Sequence, residues 1–166
     1  MPTISSRHLI SIIIPTFNSA RNISGCLASI CSQTYRDFEI LVMDGQSCDE
    51  TCRIVAHFQE KHVNIHFLSE RDEGIYDAMN KGIGRACGDW LLFLGSDDEL
   101  YDDEVLSDIS GTLFQSSAEM VYGDVLLKGD TLFGKRDERY AGDFSKEKII
   151  KQNICHQSVI YSRRVF

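Results

Sequence analysis

Carboxylates recur in this chain just after short, strongly apolar runs. Phe38 to Asp44 leads into Asp44-Gly45-Gln46-Ser47, Ile65 to Leu68 into Ser69-Glu70-Arg71-Asp72, and Trp90 to Leu94 into Gly95-Ser96-Asp97-Asp98. A further apolar run, Leu9 to Pro15, ends in Thr16-Phe17-Asn18, where the aromatic ring of Phe17 could stack on a base. If the acidic segments converge, their charge has to be neutralised, and a divalent ion carrying a diphosphate does so without a basic surface. Each acid also has an ordinary explanation. Asp44, Asp49 or Asp72 can cap a following helix and Asp97 with Asp98 can close a turn, features worth about 1 kcal/mol each. Caps do not account for their joint placement after successive apolar runs.

The elements that would position these residues alternate. Leu9 to Pro15 is a β-branched run, and Ile23, Leu27, Ile30 and Cys31 then fall on one helical stripe. Phe38 to Asp44 predicts a second strand, followed by a helix with the stripe Thr51, Ile54, Val55 and Phe58, capped by Ser47 or Asp49. Ile65 to Leu68 and Trp90 to Leu94 predict two more strands. The helix between them takes its apolar face from Ile75, Met79, Ile83 and Ala86 and ends at Gly88; Val105, Leu106, Ile109 and Leu113 mark a fourth helix. Four β-α units with apolar strands predict an α/β fold, a mostly parallel sheet with helices on both faces. Ligands bind such sheets outside the carboxyl ends of the strands, so Phe17, Asp44, Asp72 and Asp97 are expected to open onto one cleft. From Met120 the rhythm changes. Met120 to Leu127, a turn at Lys128, Gly129 and Asp130, and Leu132 with Phe133 predict a hairpin or meander on the sheet edge. Lys135 to Asp143 reads as an exposed loop, Ser145 as the cap of a short helix through Ile150, and Ser158 to Tyr161 as a brief strand.

The 166 residues, 43% hydrophobic, suffice for one domain over 1–166. A net charge of -8 argues against nucleic acid or an anionic membrane as the main partner, since either needs a concentrated basic face. No apolar stretch approaches the ~20 residues of a membrane span, and the N-terminal run is too short for an export signal. A cytoplasmic protein, with at most peripheral contact at the inner membrane face, is the expectation. Cys26, Cys31, Cys48, Cys52, Cys87 and Cys155 form no C-x-x-C pair and read as reduced packing residues.

Several segments in this order resemble family 2 glycosyltransferases of the GT-A fold. They are Ile12-Ile13-Ile14-Pro15-Thr16-Phe17-Asn18, Gln33-Thr34-Tyr35 with Phe38-Glu39, the stretch from Asp44 to Thr51, and Phe93-Leu94-Gly95-Ser96-Asp97-Asp98. The stretch from Ser69 to Ile83 is similar to a branch that builds bacterial surface polysaccharides, and the match runs from about Ile10 to Tyr161. The resemblance implies an inverting transfer from a nucleoside-diphosphate sugar, usually a UDP-sugar, to a polysaccharide or lipid-linked acceptor. It implies that Pro15, Thr16 and Phe17 line the base pocket, that Asp44 accepts a hydrogen bond from the base, and that Asp72 and Asn80 complete the nucleoside site. Asp97 and Asp98 would hold Mn2+ or Mg2+ against the diphosphate and contact the ribose, with His156, beside Gln157, and Lys81 near the diphosphate. Two departures follow. Gly95 stands where the family often has an aspartate, and the family's general base normally lies further along than Phe166, with Asp124 or Asp143 as stand-ins within the chain. The chain then reads as the donor-binding part of the domain, its acceptor part lying beyond Phe166. The alternative is a catalytically silent nucleotide-sugar-binding module. A sugar nucleotidyltransferase is disfavoured, because no Gly-rich loop with Lys or Arg follows the first strand.

Overall fold

The computed structural model describes residues 9–115, 117–129, 134–140, 147 and 155–166. The four β-α units are present: β1 (Ile10–Thr16), α1 (Ile23–Cys31), β2 (Phe38–Asp44), α2 (Thr51–Gln59), β3 (Ile65–Ser69), α3 (Ile75–Arg85), β4 (Trp90–Phe93) and α4 (Val105–Gln115). After them come β5 (Met120–Tyr122), β6 (Val125–Leu126), β7 (Arg139–Tyr140) and β8 (Val159–Ser162). The main sheet has the order β3-β2-β1-β4-β8-β5. Its first four members are parallel, while β8 runs antiparallel to both β4 and β5.

β1 is apolar on both faces because both faces are covered. Ile10, Ile12 and Ile14 pack with Leu27 and Ile30 of α1, Val55 of α2 and Leu106 and Leu113 of α4. Ile13 packs on the other side with Ala78 of α3, Leu41 and Phe93. Of the expected α3 stripe, Met79 and Ile83 pack on this cluster and Ala86 is buried, but Ile75 is 52% exposed, and the buried residues within the helix are Ala78 and Gly82. Close approach explains this, since a Cβ on Gly82 would stand 2.5 Å from Ile13 Cγ2. Only the smallest side chains fit where the helix crosses Ile13, with Met79 and Ile83 packing to the side.

Register sets the site. Thr16 pairs with Asp44 and Asp44 with Ser69, so β1, β2 and β3 end level, and Ile13 pairs with Phe93 one strand over. At the opposite edge, Glu39 is buried yet satisfied: Ser11 Oγ and the Cys87 backbone N–H each donate to its Oε1 at 2.6 Å.

The C-terminal part adds antiparallel strands at the sheet edge, as expected, with pairings the sequence did not place. β5 joins the main sheet through β8, and only β6 forms a small antiparallel pair, with Arg139–Tyr140. That partner lies in the charged stretch read as a loop, where backbone pairing needs no apolar pattern because the ribbon is exposed. Leu132, Phe133, Asp143 and the expected helix from Ser145 to Ile150 lie outside the described residues. Among the described residues no helix is long and apolar enough to cross a membrane.

Candidate active site

The loops after β1 and β2 are stitched together by short polar side chains. Asn18 takes a left-handed conformation (φ 48°), which asparagine tolerates. Its backbone N–H donates to Ser47 Oγ at 2.8 Å, and its Oδ1 accepts from the Cys48 N–H at 2.9 Å. Asp49 stands just before Glu50, the N-cap of α2, so neither Ser47 nor Asp49 takes the expected capping position; Asp49 instead accepts from the backbone and hydroxyl of Thr51 and also from the Ala20 N–H, joining the two loops. Pro15 and Thr16 are buried beneath them, and Phe17 is left 63% exposed at the rim.

Asp44 is only 2% exposed, and its oxygens are already engaged. They accept from the Ser47 N–H at 3.0 Å, from Ser69 Oγ at 2.6 Å and from Ser47 Oγ. Asp72 sits closer to the surface, where Oδ1 accepts from the Gly74 N–H at 3.0 Å at the start of α3. Met43, Asp44, Glu70, Asp72 and Lys81 share one shallow depression, while Asn80 lies exposed on α3. Lys81 is not a free cation there. Its Nζ donates to the Arg71 carbonyl at 2.6 Å and pairs with Asp77 at 3.0 Å and Glu70 at 3.6 Å.

The acidic turn after β4 is pinned from both sides. Ser96 Oγ meets Ser19 Oγ at 2.8 Å, and Leu94 N–H continues the β1 pairing to Ile13 O. Beneath, the fully buried Gln33 donates to the Asp102 and Ser29 carbonyls and accepts from the Leu106 N–H at 2.9 Å, tying the end of α1 to the start of α4. Asp97 is exposed; Asp98 is half-buried, and its Oδ2 accepts from the Gly95 N–H at 3.2 Å. Burial, then the like charge of Asp97, raises the Asp98 carboxyl above its ordinary value, partly offset by the Gly95 N–H, Gln157 and His156. The last two come from the 3-10 turn His156–Ser158, so the pair singled out in the sequence does reach the acidic turn.

The family model for Glycosyl transferase family 2 matches residues 11–165. The chain belongs to that family. The PGL/p-HBAD biosynthesis glycosyltransferase of Mycobacterium bovis is 40% identical over 163 residues, 95% of this chain and 60% of the relative. Glycosyltransferase AglE of Haloferax volcanii is 32% identical, over 96% of this chain and 54% of its own. The chain thus spans little more than half the length of these family 2 relatives. Among solved structures, S. aureus TarS 1-349 in complex with UDP-GlcNAc has the same fold (TM-score 0.73, 24% identity, 95% of this chain and 46% of that one). The mannosyltransferase PcManGT of Pyrobaculum calidifontis, in complex with GDP-Man and Mn2+, superposes with a TM-score of 0.64 at 25% identity, over 70% of this chain and 35% of that one.

For a family 2 chain the disposition is informative. The expected acids follow the strand ends at the carboxyl edge and line two hollows. Asp44 and Asp72 face the β2-β3 side; Asp97 and Asp98 line a cavity of about 610 Å3 on the β4-β8-β5 side. Leu92, Leu94, Val105, Ile109, Val121 and Ile160 form its apolar walls, with Gln157, Ser158 and Asp124 among its polar residues. Asp124 pairs with the guanidinium of Arg139 across the β6-β7 ribbon. Among the described residues, no group of three or more His, Cys, Asp or Glu is arranged to hold a metal by itself. The crowded oxygens of Asp97 and Asp98 nevertheless suit a hard divalent ion that completes its shell with phosphate oxygens and water. Burial pushes the thiols of Cys26, Cys31, Cys52 and Cys155 upward, away from the reactive thiolate. Sequence reasoning did not single out Gln33, Ser19 and Ser96 as supports of the site, because their partners are far along the chain.

Proposed function

We propose that this chain is the donor-binding part of an inverting, metal-dependent glycosyltransferase that uses a nucleoside-diphosphate sugar, a UDP-sugar first. The observation that carries the reading is the arrangement at the carboxyl edge of a family 2 sheet. Phe17 stands exposed at the end of the central strand, with Asp72 on one side of it and the Asp97-Asp98 pair on the other. The base would stack on Phe17 above Pro15 and Thr16, with Asp44 as the floor. To contact the base, Asp44 would exchange the hydrogen bond it now receives from the Ser47 hydroxyl. Asp72 and Asn80 would complete the nucleoside site. Asp97 and Asp98 would hold Mn2+ or Mg2+, and His156 would approach the diphosphate from the β8 side. Bound there, the ion would stabilise the leaving nucleoside diphosphate as a Lewis acid. UDP-GlcNAc and GDP-Man in the related structures support a sugar nucleotide, and the Mn2+ beside GDP-Man supports the ion.

The apolar cavity beside the acidic pair supports an acceptor whose glycan is attached to an apolar, lipid-like part, met in the cytoplasm at the membrane face. Asp124 faces that cavity, but its pairing with Arg139 makes it a wall-shaping group; the general base is proposed to come from chain beyond Phe166. The test is a calorimetric titration with UDP and GDP, with and without Mn2+. UDP should bind about tenfold or more tightly with the ion, and Asp97→Ala should abolish that gain, a difference of about 1.4 kcal/mol. Unchanged metal dependence in Asp97→Ala would overturn the metal assignment.

A further inference from the structure

Three glycines near the carboxyl edge are not required by backbone conformation. Gly74, with φ 117°, is the left-handed glycine among the described residues; Gly25, Gly45 and Gly95 have no positive φ. What they supply is room. A Cβ on Gly95 would stand 2.5 Å from Asp98 Oδ2 and 2.9 Å from Asp97 Oδ1. One on Gly45 would stand 2.5 Å from Asp72 Oδ2, and one on Gly25 at the same distance from Glu99 Oε1. Each obstacle is the carboxylate of an acidic side chain, so a Cβ would be accommodated only by moving that carboxylate. Gly88 differs in kind, because its Cβ would meet the backbone of Ile10 and Ser11, so that glycine serves folding.

We propose that Gly95 and Gly45 are positioning residues of the donor site, the bare Cα of each being the seat that fixes the carboxylate of Asp98 and of Asp72 respectively. The inference rests on the reading above for what those carboxylates bind, and goes beyond it in saying what aims them. At Gly95 the seat is reinforced by its own N–H, which holds Asp98 Oδ2 at 3.2 Å, and oxygens of two consecutive aspartates converge on one point. In this chain a Cβ there would press on the Asp97 and Asp98 oxygens, which would have to shift from their present positions. Asp72 is held similarly, with Oδ1 fixed by the Gly74 N–H and Oδ2 laid against Gly45.

The two seats serve different parts of the ligand, and the test exploits that. Uridine and UDP, each with and without Mn2+, are titrated into the parent chain, Gly95→Ala, Gly45→Ala and, as a control, Gly111→Ala, whose Cβ would meet nothing within 4 Å. Gly95→Ala should lose about tenfold or more of the Mn2+ gain for UDP while keeping uridine affinity within about twofold, since misplacement of a ligating group by about 1 Å is costly. Gly45→Ala should show the converse, weaker uridine with the Mn2+ gain preserved, and Gly111→Ala neither. Retention of parent binding by Gly95→Ala, or an equal loss of both ligands in both variants, overturns the proposal. A crystal structure of Gly95→Ala gives a readout independent of ligand: the Asp98 carboxylate must have moved, and an unmoved carboxylate also overturns it. Failure of the parent to bind any nucleotide would remove the reading of the donor site, and that crystal structure would then decide the seat alone.

Discussion

Lys81 shows how a candidate phosphate ligand can be consumed by its own helix. Hydrogen bonding to Lys81, then to the Glu73 N–H, lowers the Asp77 carboxyl, and the bond to Asp77 in turn raises Lys81. A depressed carboxyl contributes stability above its unfolded pKa of about 3.9, which is lost as pH falls through the lower folded value. A raised ammonium contributes below its unfolded value of about 10.4, which is lost as pH rises through the folded value. The melting temperature of Asp77→Asn should therefore lie below the parent's from about pH 5 to 9, and the gap should close as acidification passes through the lowered carboxyl value. Because both side chains are partly solvent-exposed, the gap should also narrow in high salt. An equal gap at every pH would mean that Asp77 acts by packing. Lys81 was a candidate by its chemistry alone, whereas the sequence showed that Asp44 stands at the ligand edge, because strand ends are readable from apolar runs. It did not show that Ser47 and Ser69 already occupy Asp44, or Asp77 and Glu70 Lys81, since such hydrogen bonds depend on rotamers and loop paths.

At the scale of elements, the site depends on how the end of α1 grips the turn before α4. Gln33 is fully buried with its amide satisfied on both ends, and Thr34 N–H adds a bond to the Asp103 carbonyl at 2.8 Å. Gln33→Ala should cost about 2–4 kcal/mol in denaturant unfolding, from unsatisfied backbone groups plus a cavity. A loss below about 0.5 kcal/mol, within the range of ordinary surface substitutions, would show that the loop holds itself. Gln33-Thr34 was visible only as a motif; its role needed the partners some seventy residues away. The helix stripes were legible where a helix packs at ordinary distance, as in α1, where Ile23, Leu27 and Ile30 are buried. At α3 the stripe held for Met79, Ile83 and Ala86 but not for Ile75, and it missed Ala78 and Gly82, which close approach to Ile13 selects.

The whole molecule divides into a half whose order along the sheet follows the chain and a half whose order does not. β1 to β4 arise from repeated local units, so pattern and the handedness of crossovers predict them. β8 enters the sheet between β4 and β5 by long-range pairing, Leu92 to Ile160 and Ile160 to Val121, which local periodicity does not encode. Synthesis from the N-terminus gives this insertion a temporal consequence. β4, reading Trp90-Leu91-Leu92-Phe93, is made long before Val159–Ser162, and until β8 emerges from the ribosome its outer edge has no strand to pair with. A hydrophobic edge left open in a growing chain is a template for pairing with a neighbouring nascent chain. Stalled chains ending after α4 should therefore aggregate on release or retain holdase chaperones, and chains extended through Ser162 should come off soluble; sedimentation of the two released lengths would show it. The strand that completes the sheet last is the one that closes this window, so translation speed between α4 and β8 becomes a determinant of yield.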